Sequence, residues 1–405
     1  MEVDLDLYIM NILYVSTACS KKTITKILTN PNIKFAQASQ KFNRLLIDGF
    51  INEKANIVAL SSIPVNASDI KDLNIKKKEM ENEIEFIYTK SFYNRYINVI
   101  SSFLSSFYHS FMWGVKNKGG NSIIICDVLK VSICMGALFA SKILQIKTLG
   151  IVTDIPGLMT SSNLSFFSKF ATYLNKKYIT NFDSYVLLTE QMNELVNPHK
   201  RPYKIMEGLV DSSMIIKDAK NKEYPRNILY AGGIFKRYGV KTLVDAFMNI
   251  SDDSIRLSIY GHGDLEEFIK KSSQEDHRVN YYGVVPNSEV VEAQLKATLL
   301  VNPRPTHEEF TKYSFPSKNM EYMVSGTPVL TTNLPGMPKE YREYVYLIEE
   351  EDVNGVENTL RKLISTNEKE LFYFGAKAKE FVLSNKNNII QSKRVLDFIS
   401  TINQK

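Results

Sequence analysis

The segment FTKYSFPSKNMEYMVSGTPVL, residues 310–330, predicts a helix of about ten residues that starts near Pro316 and is followed by a buried strand. Proline suits the first turn of a helix because its φ is preset and it has no amide hydrogen, and Gly326 and Pro328 end the helix. The first turn has unsatisfied N–H groups and partial positive charge, to which Lys318 adds a full charge. The segment therefore predicts a binding site for a diphosphate.

A carboxylate follows on the same helix. Glu321 lies three residues after Lys318, hence on nearly the same face and about one turn deeper. Its two oxygens can accept hydrogen bonds from two hydroxyls of a ribose. The alternative is a surface salt bridge between Lys318 and Glu321.

Glycines end two other apolar runs of the same half. Gly232 and Gly233 precede a loop that carries Lys236 and Arg237, and Gly261, His262 and Gly263 end the next run. Glycine allows a backbone to approach a ligand closely, and basic side chains suit a polyphosphate. Since the ends of parallel strands share one rim, these residues predict an extension of the same site.

Short apolar runs alternate with helix-length segments along the whole chain, which is typical of doubly wound α/β domains. The first half has runs at 10–17, 56–62, 122–128, 148–154 and 184–190; the second has runs at 227–233, 255–263, 279–285, 297–303, 327–333 and 344–350. The loop after the first run lacks GxGxxG, which argues against NAD- or FAD-dependent chemistry. We expect Rossmann-like domains at 1–205 and 206–385 that face each other across a cleft, and a C-terminal helix at 386–405 that packs back across the hinge.

Length and composition describe a globular chain of two domains. The 405 residues contain 44% hydrophobic and 23% charged residues, and no apolar run approaches the roughly 20 residues that cross a bilayer. The start, MEVDLDLYIM, does not resemble an export signal, so we expect a cytoplasmic protein. The three cysteines, Cys19, Cys126 and Cys134, lie in apolar segments without CxxC spacing and are expected to be buried thiols.

The formal net charge of +6 is unevenly distributed. Residues 1–200 contain 22 Lys or Arg and 16 Asp or Glu, whereas residues 201–405 contain 28 of each kind. Only 11 of the 50 basic residues are Arg, and no nucleic-acid-binding motif is present, so nucleic acid is disfavoured as a partner. A basic first half suits an anionic membrane surface, although the asymmetry could also be accidental.

The segment SFYNRYINVISSFLSSFYHSFMWGVKNK, residues 91–118, carries eight aromatic residues. As a helix it would have a wide apolar face with Ser, Asn and Arg opposite, the pattern of a helix at a membrane interface or against a partner. A core helix packed against the sheet is the alternative.

The second half resembles the donor domain of GT-B glycosyltransferases of the large retaining group. The motifs that carry this resemblance are LYAGG with YGVKTLVDAF, IYGHG, YYGVVPNSEV, VNPRP, and MEYMVSGTPVLTT with LPGMPKE, which cover residues 205–350. The FPSK helix start resembles a bacterial capsule, exopolysaccharide and O-antigen branch. The resemblance implies that a nucleotide sugar binds to the second domain and that the first domain binds the acceptor.

Only one of the family's two motif glutamates is present in this chain. EYMVSGTPV matches the family pattern around the second glutamate, so the resemblance implies that Glu321 holds the donor ribose. Eight residues earlier, where the first glutamate would contact the donor sugar, this chain has Tyr313. Either Tyr313 replaces that contact, or Glu308 or Glu309 reaches the site through an insertion.

The family's diphosphate-binding Arg and Lys are also displaced, because their positions fall on Gly233 and Tyr238. Five other cations, with Ser317 at the helix start, are the candidates to bind the diphosphate: Lys236, Arg237, Arg304, Lys312 and Lys318. Such cations would stabilise the departing nucleotide diphosphate electrostatically.

In the first half, GIVTDIPG places Asp154 at a strand end, where the family often has a His-Asp pair in the cleft. Asp154 would orient or deprotonate the acceptor or bind the donor sugar, or it serves as a turn residue. Asp127, which ends SIIICD, is a second such candidate. The only DxD string, Asp4 to Asp6, precedes the first strand, so we expect neither a metal nor another cofactor.

These observations predict a metal-independent glycosyltransferase on the inner face of the plasma membrane, and the resemblance implies that its reaction is retaining. Its acceptor would be a lipid-linked saccharide in cell-surface polysaccharide synthesis, with Asp154, Lys318 and Glu321 as the catalytic candidates. The alternatives are a nucleotide-sugar epimerase of the same fold and a non-catalytic partner of an active transferase.

Overall fold

The computed structural model describes residues 9–30, 33, 37–155, 166–214 and 225–403. They form two compact units. The first comprises the chain up to Met206 together with the segment from Asn388 onward, and the second comprises Glu207–Asn387. The chain therefore passes between the units twice, at 206/207 and at 387/388.

The first unit is built on an eight-stranded sheet with the order β3-β4-β2-β1-β5-β6-β7-β8. All neighbouring strands are parallel except the antiparallel pair β3 and β4. The strands are β1 (Asn11–Ser16), β2 (Asn56–Ser61), β3 (Lys78–Glu81), β4 (Ile84–Tyr88), β5 (Ser122–Asp127), β6 (Thr148–Val152), β7 (Ser184–Leu187) and β8 (Tyr203–Ile205).

The helices of this unit are α1 (Lys21–Leu28), α2 (Gln37–Asn52), α3 (Ala67–Asp72), α4 (Arg95–Lys116), α5 (Val131–Leu144), α6 (Phe166–Ile179), α7 (Glu190–Val196) and the C-terminal α14 (Asn388–Asn403). Helix α14 packs against α2, where the Ser392 hydroxyl donates to the Leu46 carbonyl at 3.1 Å. A Cβ on Gly49 would overlap the Ser392 side chain, so this glycine permits the close approach. The C-terminal helix is thus a part of the first unit.

The second unit has a six-stranded, fully parallel sheet with the order β11-β10-β9-β12-β13-β14. Its strands are β9 (Arg226–Ala231), β10 (Ile255–Tyr260), β11 (Val279–Gly283), β12 (Leu299–Asn302), β13 (Val329–Thr332) and β14 (Tyr346–Ile348). Its helices are α8 (Val240–Met248), α9 (Glu266–Glu275), α10 (Asn287–Lys296), α11 (Ser317–Val324), α12 (Val353–Ser365) and α13 (Glu368–Asn385).

Apolar side chains on both faces of this sheet are buried under helices. One core cluster joins strand residues such as Leu257 to Phe247 of α8 and Leu360 of α12, and the other joins Leu300 to Met323 of α11 and Val382 of α13. The two-sided cover explains why these strands are continuous apolar runs. The predicted doubly wound architecture is confirmed in both units.

Three strands were missed by the sequence analysis. Two of them, β3 and β4, form a hairpin that turns at Asn82, whose φ is +51°. Charged and apolar residues alternate in this hairpin, and β3 is the edge strand of the sheet. β8 has only three residues and pairs with β7. Short edge strands rich in charge give little hydrophobic signal.

All three cysteines are buried thiols, as predicted. The predicted helix in residues 91–118 is α4, which is capped by Asn94, whose side chain accepts from the amides of Tyr96 and Ile97. Helix α4 packs its serine side on α5, whereas large side chains such as Tyr96 and Leu104 are exposed. Within the described residues, no helix is both long and apolar enough to cross a bilayer.

Candidate functional site

The strand order of the second sheet places two loops at one point of its rim. From β9 the chain proceeds outward through β10 and β11, then returns to β12 on the other side of β9. The carboxyl ends of β9 and β12 therefore flank the position where the strand order reverses, which is where open α/β sheets bind ligands. Gly232 follows β9 and Arg304 follows β12, so both predicted residues lie at this switch point.

Helix α11 is fixed to the same place by buried polar groups. The Tyr322 hydroxyl accepts the Ala231 amide at 2.8 Å and lies 3.2 Å from the Ala231 carbonyl, so it is bound to the end of β9. Asn319 accepts a hydrogen bond from Asn302 of β12 at 2.6 Å and donates to Thr331 of β13 at 3.3 Å. These bonds set the position of the helix start relative to the strand ends.

The helix is shorter than predicted. It has eight residues, and Pro316 is its N-cap rather than a residue of its first turn. The amide of Asn319 already donates to the Pro316 carbonyl at 2.9 Å, which closes the first turn. Ser317 and Lys318 are then the first two helical residues, where the partial positive charge of the helix is greatest.

Lys318 extends from this first turn over the end of β9. Its ammonium nitrogen lies 5.1 Å from the centre of the Tyr230 ring. A Cβ on Gly232 would overlap Nζ of Lys318 in its present position, and the Gly232 φ of +156° lies in a region that favours glycine. Gly232 therefore both leaves room for Lys318 and adopts this backbone conformation.

Two arginines share a pair of aromatic rings beside Lys318. The Arg304 guanidinium lies 4.8 Å from the Tyr238 ring centre and 5.4 Å from that of Phe310. Arg237 approaches the same rings at 5.4 and 5.8 Å. Nε of Arg304 is buried and has no hydrogen-bond partner within the described residues.

Burial and mutual repulsion depress the proton affinity of these cations. Burial lowers the pKa of Lys318 to about 8, with Arg304 acting in the same direction and Glu321 in the opposite one. Burial likewise lowers the pKa of Arg304, and the Arg237 charge adds to this effect. Neither Lys318 nor Arg304 forms a salt bridge to a carboxylate in the described part of the chain. Such partly desolvated cations favour an anionic ligand.

The glycines after β10 have a packing role. A Cβ on Gly261 would overlap the Gly232 carbonyl oxygen, and one on Gly263 would overlap the Ile234 carbonyl oxygen. Gly232 in turn donates its amide to the Tyr260 carbonyl at 2.8 Å. These glycines allow the two neighbouring strand ends to lie against each other, which holds the Gly232 backbone in place.

Lys318, Arg304 and Arg237 form what we call the cation cluster. The remaining candidates of this unit are described next. Lys236 and Lys312 have exposed side chains, and the Lys236 amide donates to Asp264 at 3.0 Å. Tyr313 ends the 3₁₀ turn Glu309–Lys312 and donates its amide to the Phe310 carbonyl at 3.1 Å. Glu321 is exposed on α11, and Gly233 accepts the Tyr230 hydroxyl at 2.6 Å through its carbonyl oxygen.

The two acidic candidates of the first unit differ in their surroundings. Asp154 lies just after β6, accepts the Ile155 amide at 2.8 Å, and has a pKa raised by partial burial. Asp127 is buried and accepts a hydrogen bond from Asn43 at 2.9 Å, while burial raises its pKa. Asp127 is therefore a core residue. Asp4 and Asp6 lie outside the described residues.

Several residues around the cation cluster were missed by the sequence analysis, namely Tyr230, Tyr238, Phe310, Asn319 and Tyr322. Each is an aromatic or amide residue inside an ordinary strand, loop or helix pattern. Their contribution depends on contacts between segments up to 91 residues apart, as for Tyr322 and Ala231. Local sequence patterns contain no signal for such contacts.

Residues 212–381 match the family model described as glycosyl transferases group 1. This match lies within the second unit and covers 170 of the 405 residues of the chain. The matched residues include the switch point between β9 and β12 and every residue of the cation cluster. None of the curated proteins matches the sequence at a significant level.

Solved glycosyltransferase structures resemble the chain over nearly its whole length. TarM has a TM-score of 0.65 at 13% identity, with 98% of this chain and 100% of TarM covered. Sucrose-phosphate synthase from Thermosynechococcus elongatus has a TM-score of 0.63 at 13% identity, with 97% and 100% covered. Anabaena HepE in complex with UDP-glucose has a TM-score of 0.59 at 10% identity, with 96% and 99% covered. At these identities the likeness establishes the fold, which is GT-B with two Rossmann-like domains.

Proposed function

We propose that the protein transfers a sugar from a nucleotide-sugar donor to a saccharide acceptor, and that Lys318, Arg304 and the start of α11 bind the donor diphosphate. The observation that carries this proposal is the partly buried pair Lys318 and Arg304, which has no carboxylate salt bridge in the described part of the chain. A diphosphate would satisfy both charges and the orphaned Nε of Arg304. Anabaena HepE was solved in complex with UDP and with UDP-glucose, which supports a nucleotide donor here.

The chemistry follows from the position of these charges. As the glycosidic bond to the diphosphate breaks, negative charge grows on the leaving phosphate, and prearranged cations stabilise that charge. Glu321 would hold the ribose hydroxyls. We propose a retaining reaction in which the acceptor attacks the face that the diphosphate leaves, and in which these side chains take the place of a metal ion.

We propose a lipid-linked saccharide of cell-surface polysaccharide synthesis as the acceptor. Asp154 of the first unit is the candidate for orienting or deprotonating the acceptor hydroxyl, and its raised pKa suits proton transfer. A variant of TarM from S. aureus was solved with UDP and two saccharide compounds, which supports a saccharide acceptor. We place the protein on the inner face of the plasma membrane.

A thermal-shift screen with UDP, GDP, dTDP and their sugars tests the donor proposal. A ligand that binds the native state raises Tm, by an amount that grows with its concentration above Kd. Lys318→Met should abolish the shift, whereas the exposed Lys271→Met on α9 should keep it. The absence of a shift with every nucleotide would contradict the proposal.

Tyr313, which stands where the family has a glutamate, favours one alternative specifically, a non-catalytic partner protein that binds and steadies an active transferase. Donor consumption with and without an acceptor separates the cases. A transferase consumes donor only with acceptor present, an epimerase converts donor without it, and a non-catalytic protein does neither.

A further inference from the structure

Helix α4 packs with its small residues toward α5. Ser102, Ser106, Ser110 and Gly114 recur every four residues, lie on one face, and are all buried. The Ser106 hydroxyl donates to the Ile133 carbonyl of α5 at 2.6 Å. On the α5 side, a Cβ on Gly136 would overlap the α4 backbone at Phe103 and Phe107. The close approach of the two helices thus requires the serine face to point inward.

The bulky side chains of α4 are consequently left on the outside. Tyr96 is 79% exposed and Leu104 is 56% exposed, far more than is usual for apolar residues of a folded domain. The exposed set on α4, which we name the α4 face, consists of Tyr96, Ile97, Val99, Ile100, Leu104, Tyr108, Met112 and Val115. The neighbouring helices add Phe139 and Ile143 of α5 and Tyr173 of α6. A patch of this kind indicates a docking surface.

The helices of this face carry charge of a single sign, and Glu85, a carboxylate of β4 that acts on His109 of α4, is paired with Lys78 at 2.8 Å. Residues 86–182 contain ten Lys or Arg but only two acidic residues, Asp127 and Asp154, and Asp127 is buried. Helices α4, α5 and α6 have no Asp or Glu at all. Lys116, Lys176 and Lys177 are exposed at the C-terminal ends of α4 and α6. The partner of the α4 face must therefore tolerate or attract positive charge.

We propose that the α4 face binds an anionic lipid bilayer, with α4 lying in the plane of the interface. Tyrosines and aliphatic side chains would enter the boundary between headgroups and acyl chains, and the lysines would contact lipid phosphates. Tyrosine is enriched at such interfaces because its ring is apolar and its hydroxyl can stay hydrated. The inference rests on the proposed lipid-linked acceptor, because that acceptor would hold the enzyme's substrate at the membrane.

A second copy of the chain is a poorer occupant of this surface. Most homodimers are two-fold symmetric, so the same face would meet itself. That arrangement would bring the lysines of the two copies together without an acidic residue of α4, α5 or α6 to balance them. Juxtaposed like charges weaken association, whereas an anionic bilayer complements them.

Co-sedimentation of the full chain with vesicles tests the proposal. The probe is a 1:1 mixture of phosphatidylglycerol and phosphatidylcholine, compared with phosphatidylcholine alone. We expect binding to the anionic vesicles, and a drop of at least about tenfold in partitioning for the double variant Leu104→Asp/Tyr108→Asp. The matched control is Tyr373→Asp on α13, whose side chain is 62% exposed and lies in the other unit; it should bind as the unmodified protein does.

A second variant tests the charge contribution separately. Lys176→Glu/Lys177→Glu leaves the α4 face intact and should lose the preference for anionic over neutral vesicles. The proposal would be overturned if the unmodified protein did not bind to anionic vesicles. It would also be overturned if sedimentation velocity showed a dimer that Leu104→Asp disrupts, while no binding to vesicles was seen. The nucleotide thermal shift is measured on the same samples. If the protein bound to vesicles but showed no nucleotide thermal shift, the donor proposal alone would be refuted. If it showed the thermal shift but did not bind to vesicles, the membrane proposal alone would be refuted.

Discussion

The ammonium group of Lys318 occupies the space that a side chain on residue 232 would need, directly beyond the end of β9. Gly232 and Lys318 are separated by 86 positions in the chain but lie against each other at the switch point of the second sheet.

The first prediction concerns this pair. Gly232→Ala should displace the Lys318 side chain, which is flexible, without unfolding the domain. We expect UDP affinity to fall by about tenfold or more in calorimetry, and Tm to fall as well, because the Gly232 φ of +156° is a conformation that alanine rarely adopts. Unchanged affinity would show that the position of Lys318 is not needed for binding.

The second prediction concerns pH. Burial lowers the pKa of Lys318 to about 8, whereas a lysine in the unfolded chain keeps its ordinary value of about 10.4. Between these values the unfolded chain binds the extra proton, so this group makes folding more favourable as pH rises through that window. Diphosphate binding needs the protonated form, so UDP affinity should fall by up to about tenfold per pH unit above pH 8.

Calorimetry in buffers of different ionisation enthalpy measures the associated proton uptake. At pH 8 to 8.5 the unmodified protein should take up protons on binding UDP, because the ligand raises the pKa of Lys318 again. Lys318→Arg, whose guanidinium keeps its proton throughout this range, should show no such uptake. An identical pH profile in the two proteins would assign the titration to another group.

The third prediction concerns the stacking of Arg304 on Tyr238. Arg304→Lys keeps the charge but removes the planar group that lies 4.8 Å from the ring. We expect roughly tenfold weaker UDP binding, since a cation held on an aromatic ring is worth about 1 kcal/mol and the bidentate contact to phosphate is also lost. Tyr238→Leu, which retains the arginine, should have a smaller effect. Equal binding by Arg304→Lys would exclude a role for the guanidinium geometry.

The fourth prediction concerns a buried ion pair where the chain enters and leaves the second unit. Lys386 lies 2.5 Å from Glu207, and both side chains are buried. The Tyr341 hydroxyl donates to the same carboxylate at 2.6 Å. Lys386→Met would leave the Glu207 charge uncompensated and should cost about 3–5 kcal/mol in urea unfolding.

The double variant Glu207→Gln/Lys386→Met should recover part of that loss, because no buried charge is left unpaired; Glu340, the other partner of Lys386, is 52% exposed and stays hydrated. A conservative surface change such as Lys271→Met should alter the free energy of unfolding by less than about 0.5 kcal/mol. If the single and double variants at 207 and 386 were equally unstable, the cost would come from packing rather than from charge.

The sequence by itself determined the fold class and most of its elements. Each predicted apolar run corresponds to a strand, because a strand covered on both faces must be continuously apolar. The start of α11 was found to within one residue from Pro316, since proline restricts the backbone wherever it occurs. Such signals are local, and they do not depend on what surrounds the segment.

Only the tertiary structure decided which residues meet. It joined Lys318 to Gly232 and Arg304 to Tyr238, because those contacts arise from the order of strands in the sheet. It also turned the serine face of α4 inward, since close packing against Gly136 favours small side chains over large apolar ones. The pattern of hydrophobic residues in a sequence indicates which side chains can be buried. The shape of the neighbouring helix decides which of them are buried.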